Sequence, residues 1–374
     1  MAEPQYDKNG GIVNLIDDKP KKIEENQSNS GRTGYNFIER FILKHSRKTN
    51  YILDKQGRYK CRDPKASLVI AIGVTNLCSG RCFYCPREAI HSYGTGYMDF
   101  ELYRKLIDWA AVNNVKAVGL SLFGEPLLHP RIIDMVDYAI EKGVPARIST
   151  NAIVMYKELA EKLIDRPISA FEMSMDGFTK EEYYRGKQVD KFDQAKENIL
   201  YLLKLAKEKN SKASFNVHFV DIGNISFFNK FRYIKFWSKQ LAGLKHATSF
   251  SYEPHNWAGF RDDIKDRMHF FDKLLTKWVI KKPCTDLKNL IVDFNGNVFV
   301  CGSNLHPRAV MGNINDQTIE SILISPLREK YLSENEKGSF QGVECGICTV
   351  NSVLPLSYLK KKITNNFFSL LNKF

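Results

Sequence analysis

The chain has 374 residues, a formal net charge of +13, and 43% hydrophobic and 26% charged residues, which allows two domains or one large α/β domain with an appendage. No run of about eighteen apolar residues occurs, which excludes a membrane-spanning helix, and the opening MAEPQYDKNGG lacks a basic stretch followed by an apolar one, so no secretory signal and a cytoplasmic location are expected. Lysines and arginines are spread along the chain with no dense block except Lys360–Lys362, so neither nucleic acid nor a membrane is expected as a partner.

Residues 1–65 read as a flexible extension. The first 35 are polar and rich in Lys, Asn, Ser and Gly, and a short helical candidate from Tyr35 to His45 and a connector follow. A regular alternation begins at about residue 66. SLVIAIGV (67–74) is a continuous, β-branched apolar run, the pattern of a buried strand. Further strand candidates are KAVGLSLF (116–123), ARIST (146–150), AFEMSM (170–175), SFNVHFV (214–220) and SFSYE (249–253). Helical patterns lie between them at 99–112, 131–142, 156–164, 191–209 and 228–241. Strand then helix, repeated about six times, implies a parallel sheet with right-handed crossovers. That is fewer than the eight units of a closed barrel, so residues 66–280 are expected to form an α/β core, a partial (β/α)6 TIM-type barrel; a flat doubly wound sheet is the alternative. A basic amphipathic helix is expected over 262–280. NLIVDFNGNVFVCG (289–302) then reads as two alternating strands around Asn295-Gly296, the pair suited to a type I′ turn. It opens a small C-terminal α+β domain over 281–374, whose last stretch, 356–374, mixes Lys360–Lys362 with Phe367, Phe368, Leu370 and Leu371.

The eight cysteines of a cytosolic chain are not expected to form disulfides. They fall into two groups, Cys78/Cys82/Cys85 and Cys284/Cys301/Cys345/Cys348, with Cys61 left over, and such clustering reads as metal ligation. The first group follows the first strand directly, at the strand end where barrels place chemistry. Three thiolates can hold three irons of a cubane and leave the fourth open to a small molecule. Zinc is the alternative, but closed zinc sites want four ligands, and His91 is the only nearby candidate. The second group supplies four thiolates, which suit a tetrahedral zinc site or a cluster with every iron ligated; ligand count leaves the two level.

CSGRCFYC (78–85) resembles the CxxxCxxC motif of the radical S-adenosylmethionine superfamily, with the aromatic Tyr84 just before the last Cys. The resemblance implies a [4Fe–4S] cluster on Cys78, Cys82 and Cys85 that binds S-adenosylmethionine and cleaves it to a 5′-deoxyadenosyl radical for hydrogen abstraction. Gly124-Glu125-Pro126 resembles the family's GGEP segment beside the methionine amino group, with Phe123 where the family has its first Gly. Ser149-Thr150-Asn151 resembles the STN segment near the ribose. Ser174-Met175-Asp176-Gly177 resembles the S-x-D-G segment, and Arg185 matches an Arg that follows it. Tyr84, Gly124, Glu125, Ser149, Thr150, Asn151, Ser174 and Arg185 are therefore the expected cofactor-binding residues. Apart from the family, polar residues and glycines at four successive strand ends line one face of one barrel, where an extended cofactor would lie. Singly, each is a turn or a helix cap.

The order of the last four cysteines, together with GNINDQTIESI (312–322), resembles SPASM and twitch auxiliary-cluster domains, in the shorter twitch form. This implies a second [4Fe–4S] cluster, fully ligated and suited to accepting an electron. The implied activity is that of a radical SAM oxidoreductase acting on a sugar- or aminocyclitol-type small molecule, with an electron donor such as flavodoxin or ferredoxin. A maturase modifying a ribosomal peptide or protein side chain is the alternative, although residues 1–65 show no winged-helix pattern. A zinc or iron–sulfur nucleic-acid-binding module is the reading from another class; it would need a clustered basic face and stacking aromatics, which the sequence lacks. His255-Asn256-Trp257-Ala258-Gly259 resembles a similarly placed segment of SPASM enzymes and borders either the substrate or the domain junction. His129 and His218 read as structural, Glu253 as an active-site or solvated acid, and Cys61 as a small buried hydrophobe. No catalytic acid or base is assigned.

Overall fold

The computed structural model describes residues 51–53, 59–61, 69–87, 94–113, 115–220, 227–244, 247–252, 256–261, 280–281, 284, 286–350 and 352–353. The extension before residue 51, the helix expected at 262–280 (apart from its last residue), His91, Glu253, His255, the side chain of Cys61 and the stretch 356–374 lie outside the described residues.

β1 (Tyr51–Leu53) and β2 (Tyr59–Cys61) form an antiparallel pair. The main sheet starts with β3 (Val69–Ile72), where Ile70 and Ile72 are fully buried. α1 (Phe100–Val112) is started by Asp99, whose carboxylate accepts from the amides of Glu101 and Leu102, an N-cap that satisfies two of the first-turn donors. Its Leu102, Leu106, Ile107 and Ala110 repeat at helical spacing and face the sheet. The alternation continues through β4 (Ala117–Leu120), α2 (Ile132–Glu141), β5 (Ala146–Thr150), α3 (Lys157–Ile164), β6 (Ala170–Ser174), α4 (Lys180–Lys187), α5 (Phe192–Glu208), β7 (Ser214–Val220), α6 (Phe227–Gln240) and β8 (Ala247–Tyr252).

β3 to β8 pair in consecutive order and all in parallel. A doubly wound sheet would reverse order at a switch point; winding in one direction is that of a barrel. With six such strands and, among the described residues, no strand paired beyond β8, the core is a partial (β/α)6 barrel. Phe171 and Phe215 stack at 5.4 Å between neighbouring strands, next to fully buried Ile148 and Met173.

The C-terminal residues extend this same sheet. After β9 (Ile280–Lys281), β10 (Leu290–Val292) runs parallel to β3, in the register Leu290–Ile70, Ile291–Ala71 and Val292–Ile72. β11 (Asn297–Phe299) and β12 (Val310–Asn313) add antiparallel, completing nine strands. Gly296 sits at φ 86° in the β10–β11 turn, a left-handed value that glycine takes without strain. The Asp293 carboxylate fixes the turn by accepting from the amides of Asn295 and Asn297, both at 2.9 Å. α7 (Ile319–Leu323), α8 (Pro326–Lys337) and β13 (Ser352–Val353) finish the described chain.

The expected strands and helices between residues 67 and 252 lie within a few residues of the observed ones. α4, α7, α8 and the β1–β2 pair were not legible. Of α8 only Tyr331 and Asn335 are buried, and of α4 only Tyr183, Gly186 and Lys187. Neither leaves the apolar stripe that marks a helix in a sequence.

Candidate active site

The loop carrying Cys78, Cys82 and Cys85 leaves β3 at the C-terminal end of the barrel, and it is tied down from three sides. The amides of Arg81 and Phe83 donate to the carbonyls of Lys187 (2.9 Å) and Gly186 (3.2 Å) at the end of α4. The Arg87 guanidinium donates to the carbonyls of Cys78 and Gly80. Trp257 Nε1 donates to the Tyr84 carbonyl at 2.7 Å, and Arg261 to those of Phe83 and Cys85. Cys82 lies close enough to oppose the ionisation of Cys78, and Cys82 and Cys78 that of Cys85. Burial, then the nearby Glu125 charge, pushes Cys78 up to about 11, and burial and the neighbouring Cys82 push Cys85 up to about 12. Buried thiols of this kind become thiolates only beside strong positive charge. Asn151 Nδ2 and the Gly80 amide already donate to the Cys78 sulfur, at 3.5 and 3.4 Å.

Strand ends β4 to β6 supply the remaining predicted residues. Gly124 admits no side chain: a Cβ there would fall 2.0 Å from the Thr75 carbonyl oxygen and 2.9 Å from that of Leu77. The next amide, of Glu125, donates to the Leu77 carbonyl at 2.8 Å, so this turn is stitched against the cysteine loop. The Glu125 side chain is 1% exposed. Its Oε1 accepts from Thr150 Oγ1 (2.7 Å) and the Leu127 amide (3.3 Å), and its Oε2 from the Asn151 amide (2.8 Å). Burial outweighs these donors and pushes its pKa up to about 7. Glu125 thus clasps the ends of β4 and β5 together, and Asn151 is in turn held against Cys78. Ser149 lies on the opposite face of β5, donating to Glu172 Oε2 at 3.3 Å. Arg147 two residues earlier shares that face by strand alternation and pairs with Glu172. Arg185 is exposed on α4.

Sequence reasoning missed a buried ionic cluster under the loop. Tyr84 Oη donates to Asp176 Oδ2 at 2.6 Å; Lys187, 2% exposed, lies 3.4 Å from the same oxygen and donates to Tyr84 Oη (3.2 Å) and to Ser174 Oγ. Asp176 Oδ1 accepts from the Val220 amide. His218 stands beside them; burial, then the repelling Lys187, holds it down near a pKa of about 4, so it is neutral. Lys187 carried no motif, because lysine is rarely buried. The one signal available was Asp176 in the S-x-D-G segment, since a carboxylate that becomes buried needs a partner. His129 is structural: its ring accepts the Arg131 amide and meets the Met98 carbonyl.

At the other end of the sheet, burial and then the Asp286 charge push Cys284 up to about 12. Burial, then Cys284, pushes Cys301 far up; Cys345 and Cys348 act on both. Asn335 of α8 accepts from the Cys284 amide (2.7 Å) and donates to its carbonyl (3.2 Å). The Cys348 amide closes a turn on the Glu344 carbonyl. Buried Glu344 is held by Asn304, Tyr331 and Arg308. Among the described residues no three His, Cys, Asp or Glu converge on a single metal ion. GNINDQTIESI forms β12, a turn and α7, and its Asn313 and Asn315 brace the β10–β11 turn through the Asn295 carbonyl.

Fold and site together define the class: a one-way-wound open barrel with three thiols at its first strand end, and a sheet extension carrying four more. Residues 72–224 match the model of the radical SAM superfamily and residues 284–349 that of an iron–sulfur cluster-binding domain, SPASM. The chain carries a radical SAM domain followed by a C-terminal SPASM domain. It is 31% identical, over 104 residues, to the tungsten-containing aldehyde ferredoxin oxidoreductase cofactor-modifying protein of Pyrococcus furiosus, covering 28% of this chain and 29% of the relative. Its fold is similar to that of BtrN solved with AdoMet and 2-DOIA (TM-score 0.51, 18% identity, 76% of this chain and 93% of BtrN). It is also similar to Streptococcus suis SuiB bound to the precursor peptide SuiA (TM-score 0.56, 13% identity, 72% and 67%).

The family's cofactors are [4Fe–4S] clusters and S-adenosylmethionine, and the donor sets fit them. In the first site burial and neighbouring thiols oppose the ionisation of Cys78 and Cys85, and in the second that of Cys284 and Cys301, a penalty that a bound cationic core would relieve. Among the described residues no helix is long and apolar enough to cross a membrane.

Proposed function

We propose that the chain is an oxidoreductase that converts an alcohol of a sugar- or aminocyclitol-type small molecule to a carbonyl, one hydrogen leaving the carbon and one the hydroxyl. When bound, S-adenosylmethionine and the first cluster, reduced by an external electron donor, would supply hydrogen-atom abstraction at the C–H, and a second cluster would supply an acceptor for the remaining electron, the hydroxyl proton being lost to solvent. Cys78, Cys82 and Cys85 would hold the first cluster and Cys284, Cys301, Cys345 and Cys348 the second. The Glu125 clasp orients Asn151 and the Gly124 turn beside the first. Ser149 and the Arg147–Glu172 pair, half-exposed on one sheet face, offer hydrogen bonds to hydroxyl groups. Phe123, 6% exposed and edge-on to Trp257 at 5.6 Å, excludes water on the side of the C-terminal domain.

The observation that supports an oxidation is that Cys284, Cys301, Cys345 and Cys348 are neighbours, a set large enough to ligate every iron of a cluster and leave none open to substrate. A small-molecule substrate is supported by the extent shared with BtrN, 93% of its length. A peptide or protein side chain is the second reading, supported by the overlay on peptide-bound SuiB. The test is anaerobic reconstitution, iron and zinc analysis, and turnover with polyol and peptide panels. About eight irons per chain, 5′-deoxyadenosine formation and a ketone product from a polyol are expected. Modification of peptides alone would reject the small-molecule reading, and four irons with one zinc would remove the electron-accepting role.

A further inference from the structure

Residues 256–261, in the loop after β8, touch both cysteine loops at once. Asn256 is 1% exposed and locks onto the segment around Cys348. Its amide donates to Thr349 Oγ1 (2.8 Å) and its Nδ2 to the Ile347 carbonyl (2.9 Å), while its Oδ1 accepts from the Thr349 amide (3.0 Å) and hydroxyl (3.3 Å). One residue on, Trp257 holds the Tyr84 carbonyl, and Arg261 holds those of Phe83 and Cys85. Between them, the Ala258 carbonyl meets His306 Nε2 at 3.2 Å and the Phe260 ring stacks on His306 at 4.0 Å, five residues after Cys301.

The backbone that makes this reach is strained. Trp257, Ala258 and Gly259 are left-handed in succession, at φ 50°, 53° and 102°, and the first two are residues that avoid that region. Such a conformation persists only where its surroundings over-determine it. At Gly259 the backbone conformation itself disfavours any side chain, and a Cβ would fall 2.6 Å from Ile347 Cδ1, so the glycine sits packed against the Cys345–Cys348 turn.

We infer that Asn256–Arg261 is a positioning element that couples the two cysteine loops, setting their separation and transmitting order from one to the other. Its bearing on electron transfer rests on the proposed two-cluster reading, because transfer through protein falls steeply with distance. The coupling itself does not need that reading.

The test uses the reconstituted full chain and the variants Asn256→Ala, which cuts the Thr349 side, and Trp257→Phe, which cuts the Tyr84 side. Thr349→Val removes the same hydroxyl contact from the opposite partner should Asn256→Ala fail to fold. Amide exchange is read at Phe83 and Cys85, whose amides bond to Gly186 and Cys82, and at Ile347 and Cys348, both bonded to Glu344. Each cut is expected to speed exchange on the far side by about tenfold, and the magnetic interaction between the reduced clusters is expected to broaden. Loosening confined to the side that was cut, with the far side within about twofold of the parent, overturns the coupling. Iron content separates the two readings: a single cluster would refute the electron-accepting role, whereas the exchange result would still decide the coupling.

Discussion

Glu125 shows how one side chain serves the site without facing it. Its carboxyl accepts from the ends of both neighbouring strands, yet burial lifts its pKa from 4.5 to about 7. Its folded pKa is raised, so the stability it contributes is fully present below pH 4.5 and is lost as pH rises through about 7. His218 works the other way: depressed from 6.5 to about 4, it contributes stability above pH 6.5 that is lost as pH falls through about 4. In the metal-free protein the two slopes oppose one another between pH 4.5 and 6.5. Glu125→Ala is therefore expected to unmask a rise in stability of up to about 1.4 kcal/mol per pH unit in that window. It should also cost about 3 kcal/mol near neutrality, from the buried donors of Thr150, Leu127 and Asn151 left unmet. Denaturant titrations from pH 4.5 to 7 check both, and a slope unchanged from the parent would show that Glu125 is not the titrating group.

At the level of elements, α8 does for the second site what α4 does for the first. The last residues of α4, Gly186 and Lys187, receive amides of the cysteine loop, and Asn335 of α8 holds Cys284 by both backbone groups. Asn335→Ala is expected to cost about 2 kcal/mol and to let a chelator strip the second site first. Iron should then fall from about eight to about four per chain with 5′-deoxyadenosine formation in the absence of substrate retained. Parallel loss of all iron would place the weakness elsewhere. Neither helix was readable beforehand, since each touches the core at only two or three positions and holds its loop by backbone and amide groups that leave no periodic pattern.

For the molecule as a whole, the sheet does not end where the barrel does. β10 covers the edge of β3 in parallel register, and the Gly73 amide donates to the Val292 carbonyl at 2.8 Å. A chain ending before residue 281 would leave β3 with unpaired backbone groups, a template for association. Size-exclusion chromatography with light scattering is expected to find that truncation aggregated and the full chain well dispersed. A truncated chain that is monodisperse would show that the core closes its own edge.

The strand–helix alternation, the hairpin at Asn295-Gly296 and the grouping of seven cysteines were legible in order, because apolar periodicity and ligand spacing are local properties of a chain. The motif residues at four strand ends were legible too, and the fold brings Gly124, Glu125, Thr150 and Asn151 into one stitched unit with Cys78. Their division of labour was not: Glu125 turned inward as a clasp, and Lys187, with no motif of its own, became the buried partner of Asp176 and Tyr84. Nor could a local pattern reveal that β10 joins β3 across more than two hundred residues of chain, or that Asn256–Arg261 reaches both cysteine loops. Those depend on burial and on hydrogen bonds between segments far apart in the chain, which exist only once the barrel has brought their ends to one side.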